Sequence, residues 1–198
     1  MKIEIILAIV LTLALFTISI IKLKDFKFTS KSLTRIAIMA AITILLYMIK
    51  LVPFPQGGGF SLLSVLPIMI LSIVFGIPEG LLCAIIVASL QAILKPPLFP
   101  LQLPLDYFGV MMTIAFTPIF GTNKKTSIIL GATLAGLLST WFSVLSGVIF
   151  FSQFAPEGMN VWKYSIGYNF FGYGVEVLLS IIVLNVLPMK NLKQILQR

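Results

Sequence analysis

The residues with the most chemistry in this chain gather in three places. The stretch SGVIFFSQFAPEGMNVWKYSIGYN (146–169) crowds Phe150, Phe151, Phe154, Trp162, Tyr164 and Tyr168 around a polar turn of Pro156, Glu157 and Gly158, with Asn169 one turn further on. Asp106 and Tyr107 set a carboxylate beside an aromatic ring. Glu176 lies seven residues after Asn169, which puts both on one helix face roughly 10 Å apart. A ring face holds a cation, and a carboxylate accepts charge-assisted hydrogen bonds. Together with an amide, such groups suit a flat, polar, amino-bearing small molecule better than an ion. Each also has a structural reading. The aromatics could be a membrane-interface belt, and Asp106 could be an N-cap. Glu176 could be a protonated or hydrogen-bonded structural group satisfied by Ser139, Ser143 or Tyr173, a pocket floor, or a proton-coupling site.

Other chemistries are excluded by composition. The chain has no histidine, which removes zinc sites of the usual kind and Ser-His-Asp or Cys-His nucleophile systems. Its one cysteine, Cys83, lies in an apolar run, so neither a disulfide nor a thiolate cluster is expected. Gly57–Gly59 open no helix in a strand–helix unit, so they form no nucleotide cradle. An intramembrane enzyme would need paired carboxylates or a nucleophile with its base, and neither is visible. If the chain drives uptake, the energy comes from partners or an ion gradient.

The elements that must position these groups are membrane helices. The chain is 59% apolar and 10% charged, with a mean hydropathy of +1.11, more apolar surface than a soluble domain of this size can bury. Apolar runs fall at 3–21, 33–51, 61–76, 79–94, 106–120, 126–151 and 162–187. The first is expected to be an uncleaved helix. Pro67 is expected to kink the third run, and the four prolines of KPPLFPLQLPLDY (95–107) to make an extended, stiff loop. Glu79, after Pro78, is expected to sit on a helix N-terminus. Of the 14 basic residues, ten (Lys22, Lys24, Lys27, Lys31, Arg35, Lys124, Lys125, Lys190, Lys193 and Arg198) fall on one side of an alternating topology. Lys2, Lys50, Lys95 and Lys163 fall on the other. The positive-inside bias then places the N-terminus outside and the C-terminus in the cytoplasm, so the net charge of +8 signals topology and not nucleic acid. Ala37 and Ala41 make a small-residue helix face, either for packing in the chain's own bundle or for docking another membrane subunit. Gly131 and Ala135 repeat the spacing, as internal packing.

The segments 146–169, PLQLPLDY (100–107), GGGFSLLSVLPI (57–68) and RIAIMAA (35–41) together resemble the thiamine-specific substrate-binding (S) components of energy-coupling factor (ECF) vitamin transporters. The likeness runs from about residue 33 to 187. It implies an all-α integral membrane protein: a six-helix S-component bundle preceded by one additional N-terminal transmembrane helix. The expected division is an extra helix (1–24), a basic cytoplasmic linker (25–34) and a vitamin-binding domain (35–198). The resemblance also implies high-affinity thiamine capture at the outer face of the cell membrane, with no cofactor, and partnership with a transmembrane coupling subunit and two ATPases that use ATP. The substrate-binding set it implies is Asp106, Tyr107, Ser143, Gly147, Phe151, Tyr164, Asn169 and Glu176, with Ala37 and Ala41 facing the coupling subunit. Three positions depart from the family: Ser143 stands where a histidine is frequent, Ser139 where some members have a basic residue, and Phe151 where some have Trp. The alternatives are an S component for a thiamine precursor or another vitamin, and, in a different class, an ion-coupled secondary transporter.

Overall fold

In hydrocarbon every backbone N–H and C=O must find its partner within the chain, so spanning segments fold as helices. The computed structural model describes residues 2–196; Arg198, counted above among the basic residues, lies outside them. In chain order the elements are α1 (Lys2–Leu23), α2 (Ser30–Met48), a hairpin of β1 (Lys50–Pro53) and β2 (Gly59–Ser61), α3 (Leu66–Phe75) and α4 (Ile77–Leu94). A π-helical turn, Leu103–Gly109, then runs into α5 (Val110–Ile114), after which come α6 (Lys125–Phe150) and α7 (Val161–Asn169). A second π-helical turn, Phe170–Gly174, joins α7 to α8 (Val175–Val186), and α9 (Met189–Leu196) ends the series. Among the described residues five stretches are long and apolar enough to cross a membrane: Ile3–Leu23, Ser30–Met48, Ile77–Leu94, Lys125–Phe150 and Val161–Val186. The all-α membrane class holds, with one small antiparallel hairpin added.

The differences from the expected boundaries have local causes. Helix α2 begins inside the expected linker because Thr29 and Ser32 form a capping box: the Thr29 hydroxyl accepts the Ser32 N–H at 3.1 Å and the Ser32 hydroxyl accepts the Thr29 N–H at 3.0 Å. The third run forms a helix only from Leu66. Pro67 therefore starts α3 and does not kink it, since a proline is tolerated in a first turn where its missing N–H would be unpaired anyway. The residues before it pair with 50–53 as the hairpin, whose turn needs the left-handed backbone of Gly57 (φ 81°) and Gly59 (φ 103°). Beyond Phe99 the proline-rich loop is not extended: Pro100–Gln102 is a 3₁₀ turn leading into the π-helical one.

The core is built around α3. Ile68, Met69 and Leu71 are fully buried against Leu81, Ala84 and Val87 of α4 and Met112 and Ile114 of α5. Gly131 and Ala135 pack internally as expected; a Cβ at Gly131 would strike the Thr117 carbonyl. Ala37 and Ala41 do not. Both are exposed, and it is Ala40 beside them, at 2% exposure, that packs inward. Helix α1 lies against α4, α5, α6 and the first π-helical turn, burying Ala8 and Ser19 and placing Phe16 near Phe108 (6.3 Å between ring centroids).

Glu79 sits in the first turn of α4, as expected, but also accepts two hydrogen bonds from Arg35 of α2, one of them from Nε at 3.1 Å. The Arg35 guanidinium lies 3.9 Å from the centre of the Phe75 ring. With the Glu79 side chain 6% exposed, removing its partner strands a buried charge. Arg35→Met should destabilise the bundle by about 3 kcal/mol, read as a lower thermal midpoint in detergent. The double variant Arg35→Met/Glu79→Gln should lose less than the single one.

Candidate functional site

The hairpin end of the bundle holds a cavity of about 170 Å³. The hairpin roofs it, the first π-helical turn and α6 form one wall, and α7 with the second π-helical turn forms another. All five tyrosines of the chain line it: Tyr47, Tyr107, Tyr164, Tyr168 and Tyr173. A belt would scatter them around the perimeter, so for the tyrosines the interface reading fails. It is the two tryptophans that lie elsewhere. Trp162, placed by the sequence among the central aromatics, instead pairs with Trp141 at 5.9 Å. Phe150, Phe151 and Phe154 do cluster, around Phe99, with centroids about 6 Å apart, and Phe151 reaches the cavity.

All eight expected site residues line this one cavity. Asp106 is not an N-cap. It lies within the first π-helical turn, where Gln102 Nε2 donates to Oδ2 at 2.6 Å and Ser143 Oγ donates to Oδ1 at 3.2 Å. Each oxygen keeps capacity for another donor, since a carboxylate has about four acceptor sites. Tyr107 sends its hydroxyl to the Lys95 carbonyl at 2.7 Å and so offers the cavity its ring. Gly147 lets α6 and α7 approach closely, since a Cβ there would collide with the Ser165 hydroxyl. That hydroxyl donates to the Val144 carbonyl at 2.7 Å and fixes α7 on α6. Asn169 is on the same helix, its Nδ2 donating to the Ser165 carbonyl at 2.9 Å, and Tyr164 packs on Tyr168 at 5.9 Å.

Glu176 is satisfied by none of the three groups expected for it. Ser139 and Tyr173 bond each other at 2.7 Å, and Ser143 serves Asp106. Glu176 instead accepts the backbone N–H groups of Ser61 at 2.7 Å and Ser64 at 2.8 Å, and the Ser64 hydroxyl. It ties the end of the hairpin, and the turn before α3, to α8. The outer part of the hairpin is held by Tyr168, which accepts the Gly58 N–H at 3.0 Å and donates to the Pro55 carbonyl, and by Lys95, which donates to the Gly57 carbonyl.

Sequence reasoning missed Gln91, Gln102, Lys50 and Lys95, all of which line the cavity. Gln91 Nε2 and Gln102 Oε1 are buried without a hydrogen-bond partner among the described residues, so they give the cavity one donor and one acceptor. The sequence does carry a signal for the two amides: Gln91 is the one amide in an otherwise apolar helical run, and Gln102 stands four residues before Asp106. The lysines carry a signal too, since Lys50 and Lys95 are two of the four basic residues that fall on the side the topology bias disfavours. Lys50 donates to Ser61 Oγ at 2.9 Å and lies 4.5 Å from the centre of the Tyr47 ring. Burial lowers the pKa of both ammonium groups from the ordinary lysine value, opposed at Lys50 by Glu176 and at Lys95 by Asp106. No group of acidic, cysteine or histidine residues among the described residues could hold a metal.

Residues 33–196 match the model of the family described as "Thiamine transporter protein (Thia_YuaJ)". The chain is 31% identical over 160 residues to the thiamine transporter ThiT of Bacillus subtilis, a match covering 71% of this chain and 82% of that protein. Among solved structures it is similar in fold to ThiT from Listeria monocytogenes, with a TM-score of 0.70 at 22% identity, over 83% of this chain and 96% of that one. The family match leaves α1 outside it. By family match and by relative, this chain belongs to the thiamine transporter protein family.

Proposed function

We propose that this chain is the thiamine-capturing S component of an ECF uptake system. The observation that carries this reading is the convergence of Asp106, Asn169 and all five tyrosines on one cavity, in a chain of this family. The aminopyrimidine edge of thiamine needs both acceptors and donors. Asp106, Gln102 Oε1 and Asn169 Oδ1 supply the first, and Gln91 Nε2 the second. The thiazolium is a cation, suited to the faces of Tyr164, Tyr168 and Phe151, and it would lie away from Lys50 and Lys95. Ser143 holds Asp106, Gly147 lets α7 close on α6, and Glu176 acts as a positioning residue through the hairpin. The cavity, about 170 Å³, is smaller than the roughly 300–1,000 Å³ of a drug-sized site. The same small volume favours one alternative, a precursor that carries only the pyrimidine half.

In this reading the hairpin end faces outward and the C-terminus lies in the cytoplasm, supported by the basic residues around α9 and the start of α6. Transport would depend on a transmembrane coupling subunit and two ATPases that hydrolyse ATP. The chain itself would have no catalytic residue and no cofactor. Ala37 and Ala41, exposed and small, would form the face that meets the coupling subunit. Helix α1 would be an appended anchor.

Titration calorimetry on the full chain in detergent tests the substrate. Thiamine should bind saturably, and Asp106→Asn should weaken it by about 1–3 kcal/mol, roughly 5- to 150-fold. Binding of hydroxymethylpyrimidine with none of thiamine would move the substrate to the precursor. Unchanged affinity in Asp106→Asn would remove that carboxylate from the ligand. Ala37→Trp and Ala41→Trp should each keep thiamine affinity and abolish uptake in cells that supply the coupling module; uptake by both variants would end the docking assignment. Deleting residues 1–24 should leave affinity within about threefold, since α1 contributes no residue to the cavity. Loss of binding in folded protein would make α1 part of the binding domain.

A further inference from the structure

The other end of the bundle holds a second crevice, about 660 Å³ in volume, between the end of α3, the turn before α6, the end of α8 and α9. Its lining combines two chemistries. Lys125, Lys190 and Lys193 bring three ammonium groups to it, and Ile73, Ile128 and Leu184 wall it with hydrocarbon. None of the six acidic residues of the chain lines it. None of the three lysines has a carboxylate within ion-pair distance among the described residues. Lys193 Nζ donates only to the Thr122 hydroxyl, at 3.0 Å, which holds α9 against the turn before α6.

The topology bias accounts for lysines at this end of the helices. It does not account for their meeting on a crevice with apolar walls. Helix α9 adds a second observation. Met189 and Leu192 turn inward on it while Lys190 is exposed, and Ile195 (69% exposed) and Leu196 (41% exposed) present hydrocarbon beside the crevice. Such a helix lies along a bilayer surface, with its apolar residues at acyl-chain depth and its lysines at headgroup depth. The crevice opens where α6 begins and α8 ends, at the ends of two apolar spans, where a bilayer around those spans would put its headgroups.

From this juxtaposition we infer that the crevice is a binding site for an anionic phospholipid, its phosphate held by Lys125, Lys190 and Lys193 and its acyl chain by the apolar wall. A free phosphate would satisfy the lysines and leave the wall bare; a zwitterionic lipid would fill the wall and bring its own cation to the lysines. Basic pockets between helix ends are a recurrent mode of anionic-headgroup recognition. The inference does not depend on the thiamine reading, because the crevice shares no residue with the tyrosine-lined cavity.

The test uses the full chain, delipidated in a neutral detergent, with its thermal midpoint and native mass spectrum recorded on adding lipid. Phosphatidylglycerol should raise the midpoint by roughly 5 °C at saturation and appear as one retained lipid per chain. Phosphatidylcholine with the same acyl chains should do neither. The triple variant Lys125→Gln/Lys190→Gln/Lys193→Gln should lose both the shift and the retained lipid while binding thiamine like the parent. Should the triple variant fail to fold, Lys190→Gln, at an exposed position, must still lower the retention. Equal responses to the two lipids, or an unaltered response in the variants, overturn the proposal. A full shift with inorganic phosphate alone also overturns it, because the site would then be one for a free anion.

Discussion

A carboxylate in the middle of a membrane helix is the constraint on which the site depends. Glu176 is buried in α8 at a depth where an unpaired charge or polar group is expensive. Its partners are the backbone N–H groups at the end of β2 and before α3, two donors that would otherwise be unpaired where the chain leaves the hairpin. The acid and the irregular backbone therefore solve each other's problem. Non-helical chain is tolerated at membrane depth only where protein encloses it, and Glu176 provides that enclosure. The hairpin, the start of α3 and the cavity roof are fixed to α8 through this contact.

The cavity walls rest on a second irregularity. Both π-helical turns border it, one carrying Asp106 and Tyr107 and the other Tyr173. A π turn adds a residue to the helix and rotates the residues beyond it, which is why such turns recur at functional sites. Here they let two helices bring a carboxylate and a tyrosine to the same space. The Ser139–Tyr173 hydrogen bond and the Ser143–Asp106 contact place successive turns of α6 against these two segments. One regular helix thus serves as the ruler against which two irregular ones are set.

Much of this was legible in the sequence because hydropathy is a local property. The spanning segments, the turn at Pro156–Gly158 and the helix that starts near Trp162 arise from residues close together in the chain. The site residues came from spacing joined to resemblance. The features that were not legible depend on long-range partners. Those of Glu176 lie more than a hundred residues away on backbone atoms, and no side-chain pattern announces a backbone donor. Pro67 signals a kink or a start equally well until the hairpin before it is known. Ala37 and Ala41 show the spacing of a packed face, but whether the partner lies inside or outside the chain is a question of exposure. Lys50 and Lys95 are exceptions to the topology bias, and a count made for topology passes over where the exceptions meet.

The ten residues of α3 have a consequence for how the protein sits in its solvent. At 1.5 Å per residue the helix is about 15 Å long, half the thickness of a hydrocarbon core. It is enclosed by its neighbours, with residues 67–69 and 71–74 all buried, and so meets almost no lipid. The lipid-facing helices α1 and α2 have 22 and 19 residues, long enough to span. Hydrophobic matching is therefore set at the perimeter, and the depth of the cavity is set at the centre by a different helix. Helix α2 joins the two: only Ile49 separates it from the hairpin, and the Ser61 hydroxyl donates to the Tyr47 carbonyl at 3.1 Å, so a bilayer that tilts α2 also pulls on the hairpin. The cavity roof is thereby coupled, through one helix, to the thickness of the membrane that holds it.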